Sequence, residues 1–240
     1  EALPDLYIMQ NDFNERAVPN WKEADLNFPR AFYLEAAELF SHIPWKWWKK
    51  EELNSGQAFM EIVDLLHFWI SIVLKTDATI YSGRHFQNIL AGNRNVALES
   101  NIDRLVFIGA NMSMGVMHTS YMSETLSLMV VISEELGYTE EDLVSWYTGK
   151  CALNYFRQDN GSKEGTYIKV WGGLEDNVYL EVIIKNFQKK GIPVSCHAVW
   201  HELAIAYYTL TDKGVGKCTI PALTVSGKVE DEEDEKNESS

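Results

Sequence analysis

Two pairs of acidic residues interrupt two apolar segments of the chain. Glu35 and Glu38 are three residues apart in one segment, and Glu61 and Asp64 are three residues apart in the other. On an α-helix this spacing places both carboxylates of a pair on one face. Burying a carboxylate without a partner is costly in free energy, so the two helices are expected to pack together around a shared counter-charge.

A divalent metal ion is the most economical counter-charge for these acids, since neither segment contains the cations needed to neutralise all four. Carboxylate oxygens are hard ligands of the kind that binds Mg²⁺ or Mn²⁺. We therefore predict a metal site at Glu35, Glu38, Glu61 and Asp64. The alternative is a pair of solvated helix faces, which explains one isolated acid pair better than two pairs of which the second lies on an almost wholly apolar helix.

The spacing of apolar residues predicts an all-α fold with a single domain, a helical bundle whose acid-bearing helices pack around the metal site. Pro29 is placed to start a helix, Gly137 to end one, and Thr139 with Asp142 to form a capping box. Residues 76–119 are hard to read and are predicted to be a variable insertion with some helix. The predicted helices cover residues 7–14, 29–42, 56–74, 120–136, 139–157, 175–189 and 197–210.

The charge of the chain argues against a nucleic-acid partner. The formal net charge is −14, whereas sequence-independent binding of a duplex needs a basic surface. The folded domain is predicted to span residues 1–228. Residues 229–240 form an acidic tail whose composition is typical of a disordered, solvated segment.

The cysteine content indicates a reducing environment. Cys151, Cys196 and Cys218 are too few and too irregularly spaced for a disulfide framework or a thiolate metal site. We expect an intracellular protein of the cytoplasm or nucleus. Polar residues interrupt the apolar stretch 62–74 and no secretory leader is evident, so no membrane association is expected.

A second group of residues is cationic and lies far along the chain from the acids. Lys150, Asn154 and Arg157 recur at i, i+4 and i+7 and therefore line one helix face. A triphosphate held opposite a metal site needs such a group, because Arg makes forked contacts with phosphate and Lys supplies a point charge. The alternative is a solvated helix face followed by a basic loop. The loop adds Lys163, Tyr167 and Lys169.

Residues suited to a flat base lie close to the acidic helices in sequence. Three tryptophans within residues 45–48 cannot easily share one core face, so one is free to stack on a base, although core packing is the default explanation for each. Gln10 and Asn14 are four residues apart, and their amides could read the donor and acceptor edge of a base. His67 is either a hydrogen-bonded core residue or a group at the edge of the substrate.

Five blocks of sequence carry these features in one order along the chain. They hold, in turn, the Gln and Asn four residues apart, the E-x-x-E pair with its W-K-x-W-K stretch, the second acid pair, the N-x-x-R-Q-x-x-G segment and the loop with Tyr167 and Lys169. The blocks are residues 9–14, 30–49, 61–68, 150–161, and 165–171 with 175–177. In this order they resemble the motifs of the dimeric all-α dUTP pyrophosphatases (dUTPases), within the wider all-α NTP pyrophosphatase (MazG-like) superfamily.

The resemblance implies an obligate homodimer of helical bundles with Mg²⁺, or alternatively Mn²⁺, held by Glu35, Glu38, Glu61 and Asp64. It implies hydrolysis of dUTP to dUMP and pyrophosphate, and several family members also accept dUDP. The residues placed near the base and sugar are Gln10, Asn14, Trp47, His67 and Asn154. Those placed near the phosphates are Lys150, Arg157, Lys163, Tyr167 and Lys169.

The expected mechanism is metal-assisted hydrolysis in which Glu35 or Glu38 acts as general base. One alternative is the same chemistry on dCTP, because uracil and cytosine differ at one exocyclic group and an amide flip at Gln10 or Asn14 would change the preference. An alternative of another class is a non-catalytic helical protein that binds a basic partner through its acidic tail.

Two positions depart from the family pattern. Ser162 stands where a tyrosine is common, which would remove one phosphate or ribose contact, and Cys151 stands where an asparagine is frequent. Neither departure touches the metal-binding acids, so activity is expected to be kept.

Overall fold

The computed structural model describes residues 3–78, 80, 83–214 and 216–220. Within these ranges the regular secondary structure is α-helical apart from one 3₁₀ turn and one two-stranded ribbon, which confirms the predicted all-α class. The acidic tail at 229–240 lies outside the described residues. The elements are α1 (Leu3–Ala17), α2 (Phe28–Glu38), a 3₁₀ turn (Leu39–Ser41), α3 (Ser55–Thr76), α4 (Gly83–Asn93), α5 (Leu98–Ser113), α6 (Tyr121–Glu135), α7 (Glu140–Asp159), β1 (Val170–Trp171), β2 (Leu174–Glu175), α8 (Asp176–Lys189) and α9 (Cys196–Thr211).

Helix α3 forms the centre of the bundle because it is apolar on nearly every side. Asn54 caps its start, accepting a hydrogen bond from the Gln57 backbone N–H at 3.3 Å, and Asp77 ends it in the left-handed conformation. By length and composition α3 could span a membrane, but 78% of its most apolar window is buried inside the protein. It is packed by α1, α2, α6 and α7, as the core helix of the bundle.

Helix α2 lies beside α3 and begins as predicted. Pro29 is in its first turn, and the Asn27 side chain accepts a hydrogen bond from the Arg30 backbone N–H at 2.9 Å. The α-helix ends at Glu38, earlier than the sequence indicated, and Leu39–Ser41 continue as a 3₁₀ turn. Since α2 and α3 carry the two acid pairs, their contact decides how the carboxylates meet.

The segment at 76–119 forms α4 and α5, and α5 packs closely along α2. Gly109 permits this approach, because a Cβ at that position would lie 3.0 Å from the Tyr33 Cα. Ile102, Leu105 and Ile108 of α5 are fully buried in the core. The α5 part of this segment is therefore an integral layer of the bundle that supports α2.

Helix α7 carries the cationic group, and its start is fixed by the predicted capping box. The Asp142 carboxylate accepts from the Thr139 backbone N–H at 2.9 Å, while the Thr139 hydroxyl accepts from the Asp142 backbone N–H at 3.1 Å. Gly137, with φ of 91°, ends the preceding helix, as predicted. Helix α7 then runs between α1, α3, α8 and α9.

The loop after α7 contains a short antiparallel ribbon of β1 and β2, which the sequence did not indicate. Gly172 and Gly173 both have positive φ and make the turn between the strands. Farther on, the Thr219 hydroxyl donates to the Asp159 carboxylate at 2.6 Å, and the Arg16 guanidinium contacts both residues. The described end of the chain is thereby tied to α1 and α7.

Candidate active site

Three carboxylates from α2 and α3 converge on one point. Carboxylate oxygens of Glu35, Glu38 and Glu61 all lie within 4.8 Å of one another. Glu61 is buried, at 8% exposure, whereas Glu38 is open to solvent. Oxygen donors at this spacing fit a hard divalent cation such as Mg²⁺ or Mn²⁺.

A shared proton and a histidine ring nitrogen are the partners of the carboxylates in this acidic cluster. Burial, then the charge of Asp64 and the hydrogen bond with Glu61, raise the pKa of Glu35 to about 8. At neutral pH the Glu35 carboxyl is therefore protonated, and its O–H donates a hydrogen bond to the Glu61 carboxylate. Burial also raises the pKa of Glu61, but hydrogen bonds from His42 and Glu35 outweigh burial and leave that pKa lowered. His42 Nε2 lies 3.2 Å from Glu61 Oε1.

The fourth predicted ligand, Asp64, has a cation of its own. Lys150 Nζ donates to Asp64 Oδ2 at 2.7 Å and to Asn177 Oδ1 at 3.0 Å. Burial raises the pKa of Asp64 in spite of the Lys150 charge. Lys150 is only 3% exposed, so the interpretation of a solvated helix face does not hold for this residue.

Arg157, the other cation on this face of α7, is held by a buried carboxylate. Its Nε and one terminal nitrogen each donate to Asp176 at 2.8 Å, which is a forked ion pair, and the Tyr167 hydroxyl donates to the same carboxylate at 2.8 Å. Asp176 is 0% exposed. Burial raises the pKa of Asp176, but the hydrogen bond and charge of Arg157 outweigh burial, so the pKa is lowered.

A cavity of about 400 Å³ connects the acids, the cations and the amides. It lies between α1, α3 and α7, with Glu35 of α2 at one side. Apolar side chains, among them Phe13, Phe28 and Phe68, supply the remaining walls. The predicted site residues that line the cavity are Gln10, Asn14, Glu35, Asp64, His67, Lys150, Asn154 and Arg157.

The amides at one end of the cavity are joined in a hydrogen-bonded chain. Gln10 Oε1 accepts from the Tyr147 hydroxyl and from His67 Nδ1, both at 2.6 Å. Gln10 Nε2 donates to Asn14 Oδ1 at 2.8 Å, and Asn14 Nδ2 donates to the Ser71 hydroxyl at 2.9 Å. We call this set the amide chain.

His67 proves to be both a hydrogen-bonded core residue and a wall of the cavity. Burial, then the Lys150 charge, lower the pKa of His67 to about 3, so its ring is neutral. With Nδ1 donating to Gln10, Nε2 is left as an acceptor, and it has no hydrogen-bond partner within the described part of the chain. The His67 and Tyr147 rings stack with centroids 4.0 Å apart.

Six predicted site residues lie outside the cavity wall, namely Glu38 and Glu61 of the acidic cluster and four others. Trp47 is 90% exposed and packs edge-on against Trp48. Lys163 Nζ donates to the Ala17 carbonyl oxygen at 2.6 Å, beside the cavity, and Lys169 forms an exposed ion pair with Glu175 at 2.8 Å. The fourth, Tyr167, touches the site only through Asp176.

Four residues that received no role from the sequence support the site. They are His42 beside Glu61, Tyr147 beside Gln10, Asp176 beside Arg157 and Asn177 beside Lys150. His42 shares the helical stripe of Glu35, which was a visible signal. Tyr147 and the pair at 176–177 are far in sequence from their partners, so periodicity along one helix does not reveal them.

The two departures from the family pattern lie away from the acids. Cys151 is buried in the core. The Ser162 backbone N–H donates to the Arg157 carbonyl oxygen at 2.9 Å, closing the end of α7. Neither residue is part of the cavity wall.

A family model described as dUTPase matches residues 2–162 of the chain. The match includes every described residue of α1 to α7 and so contains the acidic cluster, the amide chain, Lys150 and Arg157. No curated protein matches. The segment at 163–177 lies beyond the match, although Asp176 and Asn177 contact the matched cations.

Proposed function

This chain belongs to the dUTPase family and is a dUTP diphosphatase, and we propose that it hydrolyses dUTP to dUMP and pyrophosphate with Mg²⁺ held in the acidic cluster. The observation that carries the proposal is one cavity that joins carboxylates, a buried lysine, a half-buried arginine and amides. A metal ion that faces cationic side chains is a recurrent feature of active sites that catalyse phosphoryl transfer. Family membership also excludes the non-catalytic alternative.

The residues of the acidic cluster fit a divalent ion. Glu35, Glu38 and Glu61 supply oxygen ligands at suitable spacing, and the proton on Glu35 marks a place where positive charge is needed. Asp64 would be the fourth ligand, after release from Lys150. When bound, the ion neutralises charge on the phosphates and lowers the pKa of a bound water. The same oxygen ligands would bind Mn²⁺.

The roles of general base and of phosphate-binding cation belong to different side chains. Glu35 or Glu38 accepts the proton of the attacking water. Glu35 can do so only as the carboxylate, a form that a cation bound beside it would favour over the protonated form of the metal-free protein. Lys150 and Arg157 stabilise charge on the phosphate oxygens. Lys163 and Lys169 would add two cations, and Tyr167 a hydroxyl group, for the end of the triphosphate, from positions outside the cavity wall.

The other end of the cavity receives the nucleoside. Gln10, Asn14 and His67 contact the base, and Asn154 lies between them and the phosphates, near the sugar. Trp47 would reach the base only by movement of its exposed connector or from a second subunit. A diphosphate retains most of these contacts, so dUDP is proposed as a second substrate, yielding dUMP and phosphate.

A second copy of the chain is the proposed partner. Exposed apolar side chains occur on α1, α2 and α5, including Ile8, Leu34 and Phe107, each 52% exposed. A contiguous patch of such side chains marks a protein interface, and we propose that a homodimer covers these ones. Sedimentation equilibrium measures the mass directly, and a monomer at micromolar concentration contradicts the dimer.

The decisive experiment is a substrate panel with and without metal. Turnover of dUTP, dUDP, dCTP, dTTP and dATP is measured with Mg²⁺, with Mn²⁺ and with chelator. We expect dUTP to be hydrolysed fastest and chelator to abolish turnover. Faster turnover of dCTP than of dUTP contradicts the base assignment, and full activity in chelator contradicts the metal assignment.

A further inference from the structure

We propose that Tyr147 and Ser71 determine the base preference of the cavity by fixing the direction of the amide chain. Neither residue is assigned a role by the family resemblance. Tyr147 is fully buried behind Gln10 and does not line the cavity, so it acts through Gln10. Ser71 acts through Asn14. The inference rests on the proposed function, in which Gln10 and Asn14 contact the base.

The direction of the amide chain follows from its two ends. The Tyr147 hydroxyl donates to Gln10 Oε1 at 2.6 Å. At the other end, the Ser71 hydroxyl donates its only hydrogen to the His67 carbonyl oxygen at 2.9 Å and so can only accept from Asn14 Nδ2. Between the ends, each amide uses its nitrogen as donor toward the next group.

This direction leaves a defined pattern of free hydrogen-bonding positions. Gln10 Nε2 keeps one hydrogen, Asn14 Oδ1 keeps one lone pair, and Asn14 Nδ2 keeps one hydrogen. In order from Gln10 to Asn14, the free positions of the amide chain are a donor, an acceptor and a donor. The edge of uracil presents O2, N3–H and O4, which read acceptor, donor, acceptor, and the two patterns are complementary.

Cytosine does not match this pattern. Its edge presents O2, N3 and the amino group, which read acceptor, acceptor, donor. Two of the three positions would therefore oppose like groups, and a site with fixed polar groups rejects a base that leaves them unpaired.

The opposite direction of the chain is disfavoured at both ends. If both amides flipped, the Tyr147 hydroxyl would lose Gln10 Oε1 as acceptor, and its other acceptor, the Leu6 carbonyl oxygen, is 3.4 Å away. Ser71 would have to give up its bond to the His67 carbonyl oxygen in order to donate to Asn14. The flipped chain would offer acceptor, donor, acceptor, which does not match uracil.

The test removes one hydroxyl and compares two bases. Tyr147→Phe keeps the ring that stacks on His67 and deletes only the donor to Gln10. We expect the ratio of kcat/KM for dUTP to that for dCTP to fall about threefold to tenfold, the factor one hydrogen bond provides. Tyr179→Phe is the matched control, because its hydroxyl donates to the Trp171 carbonyl oxygen at 2.7 Å, away from the amide chain. Its ratio should not change.

A second variant tests the other end of the chain. Ser71→Ala removes the acceptor of Asn14 Nδ2 and should lower the same ratio, and it carries the test if Tyr147→Phe does not fold. Binding of dUMP and dCMP, measured by calorimetry, should show the same loss of discrimination without catalysis.

The outcomes separate the inference from the proposed function. An unchanged ratio in both variants, or equal losses of kcat/KM on the two substrates, overturns the role of Tyr147 and Ser71 while the wild-type preference for dUTP stands. A wild-type protein that prefers dCTP overturns the base assignment of the proposed function itself.

Discussion

Lys150 Nζ lies 2.7 Å from Asp64 Oδ2, and this ion pair joins α7 to the central helix α3 across 86 positions of sequence. One partner is a proposed metal ligand and the other a proposed phosphate-binding cation. The pair therefore connects the two chemical halves of the cavity, and its loss should affect folding and catalysis together.

Lys150→Met is expected to lower the free energy of unfolding by about 3 kcal/mol, because a buried carboxylate is left without its cation. It should also lower kcat/KM for dUTP by about 100-fold or more through loss of a charge on the phosphates. Urea denaturation and steady-state kinetics measure the two effects. Lys150→Arg, which keeps the charge, should lose less stability, and equal losses in both variants contradict the role of the charge.

Glu38→Gln is expected to abolish hydrolysis of dUTP while leaving the fold intact. Glu38 is exposed at the rim of the cluster, so removing its charge disturbs little packing but removes a hard ligand and a candidate base. Circular dichroism and turnover with Mg²⁺ check both statements. Full activity of the Glu38→Gln protein would contradict the assignment of Glu38 as a metal ligand.

The metal-free protein should lose stability as the pH rises. The pKa of Glu35 is about 8 in the folded protein against an ordinary 4.5, so between these values the unfolded chain has released a proton that the folded protein keeps. The stabilisation is complete below pH 4.5 and is lost as the pH rises through 8. Melting temperatures in chelator across this range measure the slope.

Two comparisons identify the origin of that slope. Glu35→Gln removes the titrating group and should flatten the dependence, and Mg²⁺ should flatten it by replacing the proton. A slope that survives in Glu35→Gln would assign the dependence to another group.

Asp176→Asn is expected to lower kcat/KM for dUTP about 10- to 100-fold, because Arg157 loses a charged, forked partner that fixes its position. KM should rise along with any fall in kcat, since the affected group binds phosphate. Glu141 is an exposed acid on α7, so Glu141→Gln is the control for a change of net charge. It should leave kcat/KM for dUTP unchanged. A neutral Asp176→Asn contradicts the positioning role.

Deletion of residues 228–240 is expected to leave turnover of dUTP unchanged, because the acidic composition of 229–240 is typical of a solvated segment. Deletion from residue 216 should instead lower the melting temperature, since it removes the Thr219 bonds to Asp159 and the buried Ile220. Thermal melts and kinetics on both truncations test this. Loss of activity in the shorter deletion would contradict the prediction for the tail.

The sequence predicted the helices well because their signals are local. Pro29, Gly137 and the capping box at Thr139 each act within one turn, and the structure uses all three. Helix α5 was hard to read because glycine is unfavourable inside a helix and Gly109 lies within it. The reason for that glycine is contact with Tyr33 of another helix.

The site was predictable where its residues share a helix and not where they meet across the fold. Glu35 and Glu38 were recognised by spacing, and α2 and α3 do bring them to Glu61. The partner of Asp64 was not recognised, because Lys150 is 86 positions away. Trp47 was assigned to the base because it is aromatic, but residue type alone does not predict that its side chain is exposed.

The contacts of α1 have a consequence for how the protein forms during synthesis. This helix leaves the ribosome ahead of two of its partners, because Tyr147, the partner of Gln10, follows 137 positions later and Thr219, which contacts Arg16, follows after 203. Contacts between such distant residues close slowly. The nascent chain therefore carries Gln10 without its Tyr147 partner until α7 emerges, and the amide chain proposed to contact the base is complete only after that point.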